Sequence, residues 1–174
     1  MKNFLLLFLI SLLPVALSAL IYLAKRTKTA EKLSPAARQA IIGVLFGGMA
    51  IIGTEFGIRI DGAVINVRDA SPIIAGLLFG APAGIIAGFI GGVERWFAVY
   101  WGAGEYTRLA CSISTVLAGV FAAGLRKFMF DDKKPKWYYC LATAVITEVV
   151  HMLMIFLTNM TDARTAFSFV RICS

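Results

Sequence analysis

Two arginines, Arg68 and Arg95, close the stretch NVRDASPIIAGLLFGAPAGIIAGFIGGVER that runs from Asn66, and they offer the most chemistry in the chain. A guanidinium presents a rigid planar fork of donors that holds a carboxylate through two parallel bonds, which a lysine cannot reproduce. Further on, Cys111 and Ser114 stand i to i+3, so on a helix beginning near Arg108 they share its first turns. The unpaired N–H groups at that helix start favour negative charge. Together these residue types suit a small anion. A competing reading makes the arginines interfacial anchors that snorkel to headgroups or pair with Asp69 and Glu94. Cys111 reads equally as a small buried hydrophobe, and Ser114 as a helix-packing residue.

Other polar residues are weaker candidates. Glu148 sits inside an apolar run three residues before His151. An intramembrane carboxylate is a functional candidate, with a structural hydrogen bond to a neighbouring helix as its alternative. His151 has no second histidine or placed cysteine near it in sequence, so no metal site is expected. Glu55 and Asp61 are expected at the outer mouth or in water, with Asp69 tuning the mouth from its rim. A phosphate loop is excluded, since Val93-Glu94 follows the last glycine where a lysine and a hydroxyl residue are needed. No nucleophile–base constellation is legible, which argues against an enzyme.

The elements that must position these residues are membrane helices. Of 174 residues, 59% are hydrophobic and 16% charged, and the mean hydropathy is +0.81. That excludes an ordinary soluble domain. Glycine at 76, 80, 84, 88 and 92 leaves a bare strip along one helical face. In water each would cost about 1 kcal/mol relative to alanine, whereas in a bilayer small residues are how helices associate. The net charge of +7 is not a nucleic-acid footprint. It is concentrated in two clusters, Lys25, Arg26, Lys28, Lys32 and Arg38, then Arg126, Lys127, Lys133, Lys134 and Lys136. Such clusters mark cytoplasmic loops. Cys111, Cys140 and Cys173 are too scattered for a disulfide or zinc framework. The apolar run to Ala24 is long enough to span a membrane and reads as an uncleaved first helix over 1–24, N-terminus outside, with a basic loop over 25–38.

Apolar segments fall near 3–24, 39–58, 72–93, 109–125 and 137–158. Three unbroken spans between the basic clusters would put them on opposite sides, against the charge rule. Pro82 resolves this by breaking the middle segment. The pieces are a helix of about 10 residues, near 15 Å, and one of about 16. The crossings become even and both clusters share one side. A ten-residue helix cannot cross alone, so its end must be buried in protein. Arg68, Arg95, Cys111 and Ser114 then converge at the outer mouth. The expected fold is an all-α, polytopic transmembrane bundle.

The residues GTEFGIRIDGAVINVRDASPIIAGLLFGAPAGIIAGFIGGVERW, with CSISTVLAG after them and TEVVHM around Glu148, resemble the bacterial five-transmembrane receptor domain of LytS- and YhcK-type sensors. The resemblance runs from about Gln39 to the end, making 39–174 the receptor domain. PIIAGLLFGAPAG is also similar to the substrate-binding subunits of energy-coupling-factor transporters, which have two short helices there. The sensor resemblance implies a non-catalytic module without a cofactor, in a bacterial inner membrane. It implies a cytoplasmic output domain in cis, a histidine kinase or cyclic-di-GMP enzyme, and hence a homodimer. It implies a small anionic metabolite, a carboxylate or 2-oxo acid, bound by Arg68, Arg95, Cys111 and Ser114, with Asn66, Arg108 and Glu148 in support. The loop 96–107 is longer and more aromatic than in the kinases of the family. The last helix is expected to be incomplete at Ser174. A solute-binding transport subunit is the alternative function.

Overall fold

The computed structural model describes the backbone of residues 2–24, 33–60, 63–102 and 104–173 and most of their side chains. Lys25, Arg26, Lys28, Lys32 and Asp61 lie outside the described residues, as does the Cys173 side chain. Helix α1 spans Lys2–Ala24 and α2 spans Pro35–Glu55, where Ser34 caps the first turn by accepting from the Ala37 N–H. A hairpin follows, β1 Ile58–Ile60 against β2 Ala63–Ile65, with Ile58 opposite Ile65. Then come α3, Ala70–Phe79, and α4, Ala81–Phe97, ending in a 3₁₀ turn at Ala98–Trp101. Helix α5, Arg108–Gly124, continues through a π turn to Met129. Helix α6 is Trp137–Thr158 and α7 is Ala163–Cys173.

The protein is an all-α polytopic bundle. Among the described residues four helices, Leu5–Ala24, Pro35–Glu55, Arg108–Met129 and Trp137–Thr158, are long and apolar enough to cross a membrane. Their outward faces carry large apolar side chains such as Leu9, Val44, Leu117 and Val149. The short hairpin was not expected, although the Asp61-Gly62 pair between two apolar runs is a hairpin signature in the sequence.

The middle segment splits as the Pro82 argument requires, but the break falls at Gly80. Its φ of 133° lies where only glycine sits without strain. Pro82 stands in the first turn of α4, where a missing N–H leaves no bond unmade. Proline therefore starts the second helix, and glycine ends the first. The C-terminal carbonyls of α3 cannot be left bare in a bilayer. Gln39 Nε2 donates to Phe79 O at 2.6 Å and Arg126 Nη1 to Leu77 O at 2.8 Å. Two polar side chains, from α2 and from the turn that extends α5, thus finish α3.

The glycine strip is the contact surface between α3, α4 and α5. A Cβ at Gly84 would lie 2.6 Å from Gly76 Cα, one at Gly88 2.9 Å from Thr115 O, and one at Gly92 2.8 Å from Ser112 O. Backbone meets backbone there, and that closeness sets the depth at which α5 presents its polar residues. On the other face of the α3–α4 pair, Phe46 of α2 is fully buried with its ring centroid 5.4 Å from that of Phe79.

Candidate functional site

The site begins in the turn before α3. Asn66 accepts from the Arg68 N–H through Oδ1 at 3.2 Å and donates to Val64 O at 3.1 Å, tying the turn to the hairpin. Gly53 of α2 makes room, since a Cβ there would lie 2.9 Å from Arg68 Cα. Arg68 is 0% exposed. Its Nε donates to Thr115 Oγ1 at 2.6 Å and meets Asp69 Oδ1 at 3.3 Å. Nη1 reaches Thr54 Oγ1 at 3.5 Å and Nη2 the Cys111 carbonyl at 3.4 Å, both long contacts. Every nitrogen of Arg68 is engaged.

Asp69 is buried too, so it is an internal residue rather than the rim charge expected of it. Thr115 donates to its Oδ1 at 2.6 Å, and His151 Nδ1 lies 3.1 Å from its Oδ2. The single Thr115 proton has a second acceptor in Cys111 O at 2.9 Å, but a charged acceptor is the stronger one. The other ring nitrogen of His151, Nε2, faces Cys111 Sγ at 3.3 Å. His151 looks isolated in the sequence; in the fold it links two buried residues, Asp69 ahead of α3 and Cys111 on α5.

 Counted along the chain, Cys111 lies 42 residues beyond Asp69 and His151 lies 82 beyond it, so only the fold unites them.

Arg95, at the end of α4, is also 0% exposed, but it is not saturated. Nη2 donates to Gly104 O at 2.8 Å and to Thr107 Oγ1 at 3.1 Å, which pulls the aromatic loop onto the bundle. Among the described residues its Nε and Nη1 are buried without a hydrogen-bond partner, and so is Ser114 Oγ. The Cys111 side chain lies within interaction range of both guanidinium groups. Full burial excludes the snorkelling-anchor reading for either arginine. Of the pairings that reading offered, Arg68–Asp69 forms, whereas both Glu94 oxygens lack a hydrogen-bond partner.

A cavity of about 260 Å³ opens against this cluster, walled by Asn66, Asp69, Thr107, Cys111, Glu148 and His151 among others. Arg68, Arg95 and Ser114 are not on the wall. The arginines stand one residue behind it, bonded to Asp69 and Thr107 respectively. Arg108 is turned elsewhere, with its guanidinium carbon 4.1 Å from the Trp96 ring centroid and 5.4 Å from that of Tyr100. This is a cation–π stack that uses the aromatic loop. Glu55, exposed, accepts from Trp101 Nε1.

Sequence reasoning passed over Thr54, Thr107 and Thr115. Thr115 had a signal, since it follows Cys111 by one helical turn and shares its face. Thr54 and Thr107 had none, because nothing local marks a hydroxyl that serves a distant arginine. Donor atoms of Asp69, Glu148 and His151 come within 4.8 Å of one another, a spacing three metal ligands could use. Both Asp69 oxygens, however, are already bonded to protein groups.

Comparison with known proteins bears on this arrangement. The family described as 5TMR of 5TMR-LYT (5TM-5TMR_LYT) matches residues 21–174. The sensor histidine kinase BtsS of Escherichia coli K12 is 30% identical over 116 residues, 64% of this chain and 20% of that protein. The sensor histidine kinase YpdA of the same strain is 26% identical over 122 residues, 70% of this chain and 21% of that one. The sensor protein LytS of Bacillus cereus is 28% identical over 130 residues, 71% of this chain and 21% of that one. The chain therefore spans about a fifth of the length of these relatives. No solved structure matches it.

Proposed function

The chain belongs to the 5TM-5TMR_LYT family of sensor input domains, and from that premise we propose that it binds a small anionic metabolite from outside the cell and signals to a cytoplasmic output domain in cis. The ligand class is a carboxylate, of which a 2-oxo acid is the favoured kind. The observation that carries this reading is Arg95, a fully buried guanidinium whose Nε and Nη1 find no partner. Burying a charge with its donors unmade is expensive, and an anion that accepts from one of these free donors reduces that cost. Ser114 Oγ, buried and likewise without a partner, supplies a further donor. Cys111 contacts the rest of the ligand. Arg68 is bonded throughout, so it contributes charge and holds the wall in place rather than the fork.

The relatives named as sensor histidine kinases suggest a kinase output and a homodimer that brings two outputs together. Both basic clusters face the cytoplasm in this reading, and the N-terminus faces out. Binding must favour one helix arrangement over another for a signal to pass. The Arg95–Gly104 and Arg95–Thr107 bonds give that difference a place, because they tie α4 to the loop ahead of α5.

The test is the melting shift of the purified chain across a panel of small carboxylates, phosphate and neutral analogues. Wild type should be stabilised by one or more carboxylates and not by the neutral analogues. Arg95→Lys should lose most of the shift while still folding. If no carboxylate stabilises wild type, the anion site does not exist.

A further inference from the structure

The sequence shows no nucleophile paired with a base, yet the fold assembles one on the cavity wall. Cys111 Sγ lies 3.3 Å from His151 Nε2, and His151 Nδ1 lies 3.1 Å from Asp69 Oδ2. A carboxylate at Nδ1 keeps the proton there and leaves Nε2 to accept from the thiol. Asp69 is itself fixed by Thr115 at 2.6 Å and Arg68 at 3.3 Å, so the orienting group cannot swing away. Three elements contribute: the turn before α3, then α5 and α6. A thiol that merely fills space needs no base and no carboxylate behind the base. All three side chains reach a cavity of about 260 Å³, several times the roughly 30 Å³ that one water occupies.

We propose that Cys111 captures the carbonyl carbon of a bound 2-oxo acid as a reversible hemithioketal, with His151 moving the proton and Asp69 orienting His151. The proposal rests on the anion-site reading above and extends it. A 2-oxo acid joins the carboxylate that Arg95 lacks to an electrophilic carbon one bond away. The thiol proton passes to His151 Nε2, and the sulfur electron pair forms a C–S bond to the carbonyl carbon. The C=O π pair moves onto oxygen, which then takes the proton back from Nε2. Nothing is oxidised or reduced, no group leaves, and reversal returns the ligand intact. Such a site distinguishes a 2-oxo acid from the corresponding 2-hydroxy acid, which has the same carboxylate but no carbon to attack.

The experiment is carbon-13 NMR of the whole chain in lipid nanodiscs with pyruvate labelled at C2, beside melting shifts with pyruvate and lactate. Wild type should give a bound tetrahedral resonance distinct from free pyruvate hydrate, and a larger shift with pyruvate than with lactate. Cys111→Ser and His151→Gln should each lose that resonance and level the two shifts, while retaining some stabilisation by both acids. Two variants guard against one failing to fold. A wild-type melting shift accompanied only by a ketone resonance overturns covalent capture and leaves the anion site standing. Persistence of the tetrahedral resonance in Cys111→Ser overturns it as well. Absence of a shift with any carboxylate overturns both readings.

Discussion

At the scale of the residue, the two arginines have divided one job into two. Arg68 spends its donors on Asp69, Thr115, Thr54 and a carbonyl, and braces the wall from behind. Arg95 keeps Nε and Nη1 without partners. The sequence showed that both arginines matter and gave no means to tell them apart, because the difference lies in threonines from α2 and α5. Thr115 also fixes Asp69, which joins Arg68 to His151. Replacing one member of a buried, bonded pair costs about 3–5 kcal/mol, since the partner charge is left behind. Asp69→Asn should therefore lower the melting temperature sharply, read in detergent without ligand. A stability equal to wild type would mean that the Arg68–Asp69–His151 line is not formed in the folded protein.

At the scale of the element, a ten-residue helix, α3, ends against the protein at Gly80 and has its last carbonyls bonded by side chains. The short first piece and the glycine strip were legible, because hydropathy and small-residue spacing are local signals. The position of the break was read two residues late. Proline advertises itself, but it tolerates the first turn of a helix, and Gly80 with φ 133° makes the bend. Gln39 and Arg126 as caps for α3 were not legible, since each acts 40 or 49 residues from its acceptor. Gly84 and Gly48 give a matched test of the strip. A Cβ at Gly84 meets Gly76 backbone at 2.6 Å, while one at Gly48 meets nothing within 4 Å. Overpacking costs about 1–3 kcal/mol, whereas alanine for glycine at an open helical site gains about 0.4–1 kcal/mol. Gly84→Ala should thus lower the melting temperature and Gly48→Ala raise it or leave it alone. The reverse order would mean that α4 packs by another face.

At the scale of the whole molecule, the account depends on which side the cluster faces. Polar residues gather near the Arg95 end of α4, and basic residues follow the far end of α5. In the proposed topology the latter face the cytoplasm. Single cysteines at Lys28 and Lys133, in a background without native cysteines, should both resist an impermeant thiol reagent applied to intact cells. A cysteine at Glu105, in the loop that Arg95 holds, should label. Labelling at Lys28 or Lys133 would invert the bundle and put the site on the wrong side for an external metabolite.

The central claim is that a buried, half-satisfied Arg95 waits for a carboxylate, and calorimetric titration measures it most directly. The carboxylate that stabilises wild type most is titrated into wild type and into Arg95→Lys, both shown to be folded. Loss of a charge-assisted hydrogen bond is worth about 1.5–3 kcal/mol, and every 1.4 kcal/mol or so is tenfold in affinity. The account predicts one site per chain in wild type and a dissociation constant raised at least tenfold in Arg95→Lys. Equal affinity in the two proteins would contradict it.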